Sequence, residues 1–167
     1  MQRKYLILMV FSGLIIALDQ VTKIYIHTHF KLHESLPVIQ NFFNITYVRN
    51  KGAAFGMLHD SHETFRTIFF LAIPPLAAII ILFLLRGIKN SQTIYIYAYS
   101  AIFAGAIGNY IDRLRLGYVV DFLDFHIYNR FTWPAFNIAD SAIVVGVITL
   151  MILTFFEEKQ KKKQKKS

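Results

Sequence analysis

A chain of 167 residues suits a single domain, but 55% hydrophobic residues, sixteen phenylalanines and a positive mean hydropathy exclude an ordinary soluble globule. The absence of cysteine removes disulfides, thiolate metal sites and cysteine nucleophiles. The net charge of +8 invites a nucleic-acid reading, yet much of the excess lies in the tail from Lys159 to Lys166, and the rest offers no basic stripe on a soluble face; anionic lipid, not nucleic acid, is the expected partner.

Four apolar segments organise the chain, at about 5–26, 65–85, 94–114 and 138–156. Each gives roughly 20 residues, enough to cross about 30 Å of hydrocarbon. The first, opening with Arg3 and Lys4, resembles a secretory signal peptide, but no small-x-small cleavage site follows. Its apolar pattern resumes at Val21, Ile24 and Ile26, which predicts a retained helix. Asp19 and Lys23 lie four apart on that helix and are expected to form an ion pair. The connection that follows is β-prone at Val38, Ile39, Phe42, Phe43, Ile45, Tyr47 and Val48, broken by Pro37, Asn41 and Asn44, and predicts a small sheet lying on the membrane. After it, Asn50-Lys51-Gly52-Ala53-Ala54-Phe55-Gly56 is either a hairpin end or a loop whose backbone approaches an extended peptide. Pro74-Pro75 in the second segment is expected to be accommodated as a kink.

In the third segment, Gly105, Asn109 and Asp112 fall on one helix face, and the pairs Ala101/Gly105 and Ala104/Gly108 predict close helix packing. Asp112 and Arg113 are expected to pair with each other as a structural clamp. Arg3, Lys4, Arg86, Lys89 and the lysine tail fall on one side of the membrane, which the positive-inside rule makes cytoplasmic. Both termini are therefore expected in the cytoplasm and the long connections outside. The fold class follows: a mainly α membrane protein with four transmembrane helices and a small extracytoplasmic β-sheet region between helices 1 and 2. An extracytoplasmic loop or short helix is expected between helices 3 and 4. One integral-membrane domain spans 1–158, and 159–167 form a basic cytoplasmic tail.

Chemistry concentrates on Asp121 and Asp140, each at the edge of an apolar segment in a chain with few acidic residues. Ionisable groups at membrane depth are costly and mark function. Two carboxylates sharing a proton suit an aspartic hydrolase, which needs one ionised to activate water and one protonated to donate. No metal or cofactor is then required, and the six histidines show no His-Glu-x-x-His spacing. The same pair also suits a proton- or cation-relaying transporter, and the outer sheet suits a nonenzymatic peptide-binding assembly factor.

Five blocks narrow these choices: Asp19-Gln20-Val21-Thr22-Lys23, Asn50-Lys51-Gly52-Ala53-Ala54-Phe55, Gly108-Asn109-Tyr110-Ile111-Asp112-Arg113, Gly117-Tyr118-Val119-Val120-Asp121-Phe122 and Phe136-Asn137-Ile138-Ala139-Asp140-Ser141. Their order resembles that of bacterial lipoprotein signal peptidase, or signal peptidase II, over nearly the whole chain from Asp19 onward. The stretch from Phe125 to Arg130 and the lysine tail lie outside the pattern. The resemblance implies an intramembrane aspartic endopeptidase of the bacterial inner membrane that cuts diacylglyceryl-modified prolipoproteins just before the lipidated cysteine. It implies Asp121 and Asp140 as the catalytic pair. Asp19, Lys23, Asn50, Gly52, Ala53, Asn109, Arg113, Asn137 and Ala139 match substrate-binding or site-shaping positions. Membrane lipid and a globomycin-type inhibitor are the other expected partners, and a monomer the expected state. Within the pair, Asn137 is expected to cap the fourth helix and favour an ionised Asp140. Burial between Val120 and Phe122 should leave the resting proton on Asp121.

Overall fold

The computed structural model describes residues 2–52, 63–128 and 131–164. Four long helices, α1 (Arg3–His29), α2 (Glu63–Gly87), α3 (Thr93–Leu116) and α4 (Ile138–Gln164), are each long and apolar enough to cross a membrane. Helix α3 packs against the other three, so it is the axis of the bundle. Its small residues permit this: a β-carbon added at Gly105 would lie 2.2 Å from the Ala139 carbonyl oxygen, and one at Gly108 would lie 2.7 Å from Asp19 Oδ2. Side chains on the outer faces remain open, Leu14 at 65% and Met151 at 67% among them, as a lipid-facing surface requires.

At the α1–α2 end, the Lys4 ammonium donates to the carbonyl oxygens of Arg86 (2.7 Å) and Ile88 (3.0 Å). A cation at the last carbonyls of α2 satisfies groups the helix cannot, and ties the start of α1 to the α2–α3 link. Helix α2 runs unbroken through Pro74 and Pro75. Helix α4 continues through Gln164, so Lys159, Lys161, Lys162 and Lys163 ride on the helix instead of a separate tail.

The sheet sits at the other end. Strands β1 (Ser35–Ile39), β2 (Phe43–Asn50), β3 (Val119–Ile127) and β4 (Phe131–Thr132) run antiparallel in that order. The β region expected between the first two helices is present, but Pro37 and Asn44 pair with each other inside strands, and only Asn41 turns the chain, at φ 62°. Pro37 is tolerated because β1 is an edge strand. The α3–α4 connection corrects the expectation of a loop or short helix. It supplies β3 and β4, half of the sheet. Its β-branched and aromatic run Val119-Val120-Asp121-Phe122-Leu123 pairs along the edge of β2, satisfying backbone groups a loop would leave open. Tyr47, Val120 and Phe122, all buried, pack with Ile26 and seat the sheet on the end of α1.

Candidate active site

Three helix ends and two strands meet where the sheet joins the bundle. Gly117, at φ 76°, ends α3 in the left-handed conformation, with its N–H donating to the Arg113 carbonyl, and turns the chain directly into β3. Two residues into β3 stands Asp121, 1% exposed. Asp140 occupies the first turn of α4, half-buried. Asn137 joins them. Its Oδ1 accepts from the Asp140 backbone N–H (2.9 Å), its own backbone N–H donates to Asp140 Oδ2 (3.2 Å), and its Nδ2 donates to Asp121 Oδ1 (2.7 Å). The first two bonds form a reciprocal cap on α4, the N-cap expected at Asn137. The third delivers the same side chain to the second carboxylate.

Two further asparagines complete the set, and each is oriented by a group that can only donate. The Gly52 N–H donates to Asn50 Oδ1 (2.9 Å), which leaves Asn50 Nδ2 to donate to Asp121 Oδ2 (2.9 Å). The Lys23 ammonium donates to Asn109 Oδ1 (2.9 Å), which leaves Asn109 Nδ2 to donate to Asp140 Oδ1 (2.7 Å). An amide whose oxygen is claimed by an obligate donor must present its NH2 on the other side. Each carboxylate oxygen of the pair therefore meets one fixed N–H.

Lys23 is the hub behind this arrangement. Its ammonium contacts Asp19 Oδ2 at 2.9 Å and Asp112 Oδ2 at 3.2 Å, and all three side chains are nearly inaccessible. The Asp19–Lys23 pair expected from their spacing is thus present. Asp19 Oδ1 also accepts from the Ala139 N–H (2.9 Å), so a carboxylate on α1 holds the start of α4, favourable for both charge and position. The expected clamp between Asp112 and Arg113 does not form. Consecutive residues on a helix point about 100° apart. Asp112 turns inward to Lys23, Gln20 and the Val120 N–H (3.0 Å), while Arg113 donates to the carbonyl oxygens of Asn109 and Gly52, both at 3.2 Å, and lies over the Phe70 ring.

The expected site residues Asp19, Lys23, Asn50, Gly52, Asn109, Arg113, Asn137 and Ala139 are thereby brought together around Asp121 and Asp140. Ala53 lies outside the described residues. Sequence reasoning assigned no role to Gln20, whose Nε2 reaches Asp19, Asp112 and the Gly108 carbonyl at 3.0–3.2 Å. Its place beside Asp19 on α1 was the available signal. It also missed the His27–Tyr47–Arg49 group beneath β2, where Tyr47 Oη accepts from Arg49 Nε (2.9 Å) and meets His27 Nδ1 at 2.5 Å.

Charge settles how Asp121 sits. Among the described residues of this cluster, Asp19, Asp112, Asp121 and Asp140 face only Lys23 and Arg113 as cations. Burial, with the neighbouring Asp140 charge as the second cause, pushes the Asp121 carboxyl up to about 7; the amides of Asn50 and Asn137 and the Lys23 charge oppose the shift without cancelling it.

The chain is similar to known proteins over nearly its whole length. The family described as Signal peptidase (SPase) II matches residues 11–156. A lipoprotein signal peptidase of Syntrophus aciditrophicus (strain SB) is 47% identical over 161 residues, covering 96% of this chain and 99% of that protein. One from Geobacter metallireducens is 41% identical over 163 residues, covering 98% and 99%. A bacterial membrane enzyme solved by the in meso method at 2.3 Å resolution superposes with a TM-score of 0.82 at 37% identity, covering 92% of this chain and 90% of that one. With the match spanning all four helices and the whole sheet, the chain belongs to the signal peptidase II family.

Proposed function

We propose that this protein is an aspartic endopeptidase that removes the signal peptide from diacylglyceryl-modified prolipoproteins, cutting before the lipidated cysteine. The observation that carries the reading is the bonding of Asp121 and Asp140 to one side chain, Asn137, with every oxygen of the pair met by an oriented N–H. In the resting site Asp121 holds the proton and Asp140 is ionised. Asp140 takes a proton from water as the hydroxide oxygen bonds to the scissile carbonyl carbon, and Asp121 gives its proton to the carbonyl oxygen. Collapse of the tetrahedral species passes the Asp140 proton to the departing nitrogen and returns the carbonyl proton to Asp121. Acid and base are restored. Preorganised amides keep the two carboxylates in place without reorganisation during the reaction.

The lysines at the start of α1, in the α2–α3 link and at the end of α4 support a topology with both termini in the cytoplasm and the dyad near the outer face of a bacterial inner membrane. Asp19, Lys23, Asn50, Gly52, Asn109, Arg113, Asn137 and Ala139 bind substrate or shape the site. A cyclic-peptide inhibitor of the globomycin type would occupy the same place. The reading is tested with purified protein in detergent and a diacylglyceryl-cysteine precursor peptide, without added metal or nucleotide. Release of the signal peptide is expected, and Asp121→Asn or Asp140→Asn should cut the rate by at least about 100-fold while the helical spectrum is retained. Cleavage persisting in either folded variant would refute the dyad. A transporter reading would instead be favoured by ion flux through reconstituted protein that cleaves nothing.

A further inference from the structure

Two guanidinium groups stand at the sheet end of the bundle with no anion to answer them. Arg49 is exposed on β2, and Arg115 is exposed in the last turn of α3. Among the described residues neither pairs with a carboxylate, and Arg115 makes no hydrogen bond at all. Its position suits the α3 dipole, yet it caps none of the helix carbonyls. The topology that puts the lysines in the cytoplasm makes this the outer end, where basic residues are disfavoured. Cations kept there call for a second reason.

Buried Tyr47 organises their surroundings. Arg49 Nε can only donate, and it donates to Tyr47 Oη (2.9 Å), so the Tyr47 hydroxyl hydrogen is available to His27 Nδ1, 2.5 Å away. That bond leaves the neutral imidazole with its proton on Nε2, which meets no acceptor among the described residues. The remaining Arg49 N–H groups are likewise unused there. Tyr118 touches both neighbours, its ring 4.8 Å from the Arg49 guanidinium and 6.4 Å from the His27 ring. His27 and Arg115 in turn line one narrow crevice between α1 and α3, about 30 Å³, room for a water-sized group and no more. Arg49, His27 and Arg115 therefore make a contiguous surface of donors, and a ligand of any size must sit at the crevice mouth. Toward the membrane centre from His27, Ile24 lines the crevice at 47% exposure and Val21 follows at 65%, a surface open to hydrocarbon.

We propose that Arg49, His27 and Arg115 bind the phosphodiester of an anionic phospholipid in the outer leaflet, with an acyl chain lying along Ile24 and Val21. Guanidinium groups match phosphate oxygens in charge and in the spacing of their N–H groups. A zwitterionic headgroup would bring an ammonium for which these cations have no carboxylate partner. The site lies at the opposite end of the bundle from the α4 lysines. Its leaflet rests on the topology proposed above, but its lipid preference does not, because a micelle has no sides. The test uses the full chain in maltoside micelles with phosphatidylglycerol or phosphatidylcholine, each carrying a photoreactive diazirine near the glycerol end of one acyl chain. Adducts are located by peptide mass. Residues 21–30 and 115–118 should be labelled about tenfold more by phosphatidylglycerol than by phosphatidylcholine, the effect of a charge-assisted contact. Arg115→Gln, which has no internal bond to lose, should reduce that ratio several-fold, and the double variant Arg49→Gln/Arg115→Gln should bring it near one. Excess inorganic phosphate should leave the label in place. An undiminished ratio in either variant, or equal labelling of the native protein by the two lipids, would overturn the proposal. Displacement by inorganic phosphate would also overturn it, showing a site for free anions, and so would labelling confined to the lysine end of α4. Cleavage plays no part in the measurement, so failure here leaves the peptidase reading untouched.

Discussion

Asn137 concentrates three tasks in one side chain: it caps α4, orders Asp140 through its backbone N–H and donates to Asp121 through its amide. Serine would keep the cap but lose the amide, so Asn137→Ser should leave the helical content intact and reduce cleavage by roughly 10- to 100-fold, about the cost of one or two hydrogen bonds lost at a reacting group. The same change removes a bond that favours ionised Asp121. The fall in rate on the alkaline side, expected near pH 7 where Asp121 loses its proton, should therefore move upward. A pH–rate profile with that limb unmoved would disconnect Asp121 from it. Stability carries a second signature of the same group. Between 3.8 and about 7, folded Asp121 holds a proton that the unfolded chain has released, so folding stability must decline as pH rises through that window. At about 1.4 kcal/mol per unit the loss is limited to roughly 4 kcal/mol. Melting in detergent should be lower at pH 8 than at pH 5 for the native protein, and Asp121→Asn should flatten that difference; equal slopes in the two proteins would contradict the assignment.

At the scale of elements, the site is a product of how closely α1, α3 and α4 approach. Gly105 lies against the Ala139 backbone and Gly108 against the Asp19 carboxylate, and these contacts bring the start of α4 within reach of Asp19 and Asn109. Gly105→Ala puts a methyl group 2.2 Å from a carbonyl oxygen, which only movement of α4 can relieve. A loss of about 1–3 kcal/mol is expected, with cleavage falling further than stability because Asp140 moves with its helix. Gly13→Ala is the control. Nothing lies within 4 Å of a β-carbon there, and alanine should stabilise α1 by up to about 1 kcal/mol. Thermal melting of both variants beside the native chain checks the pair, and equal effects would rule out helix approach as the reason for Gly105.

For the molecule as a whole, charge and apolar length together set its relation to the bilayer. The lysine-bearing end of α4 and the sheet lie at opposite ends of the bundle, so single cysteines placed at Ser35 and Gln164 in this cysteine-free chain should label differently. A membrane-impermeant thiol reagent applied to intact spheroplasts should reach only position 35. Labelling at 164 under those conditions would invert the topology and the side of cleavage. Because the lysines ride on the α4 helix far from the dyad, truncation after Glu158 should leave turnover in detergent within a few-fold of the full chain.

The four membrane helices were legible in the sequence because each is a long apolar run, and that pattern needs no partner to be recognised. Asp19 and Lys23 could be paired from spacing alone, since one helix turn brings them together. Asp121 and Asp140 stood out as carboxylates where hydrocarbon makes them costly. Tertiary structure decided the rest. Asp112 has Arg113 as its neighbour in sequence, yet it bonds to Lys23, because a helix points adjacent side chains apart and only the packing of α1 on α3 supplies the cation. Strand β3 could not be inferred from a connection whose pairing edge, β2, lies some 70 residues earlier, and β4 pairs only with β3. The orientation of Asn50, Asn109 and Asn137 likewise depends on Gly52, Lys23 and the first turn of α4. A side-chain amide is symmetric in shape, and only the donors packed around it determine which end faces a carboxylate.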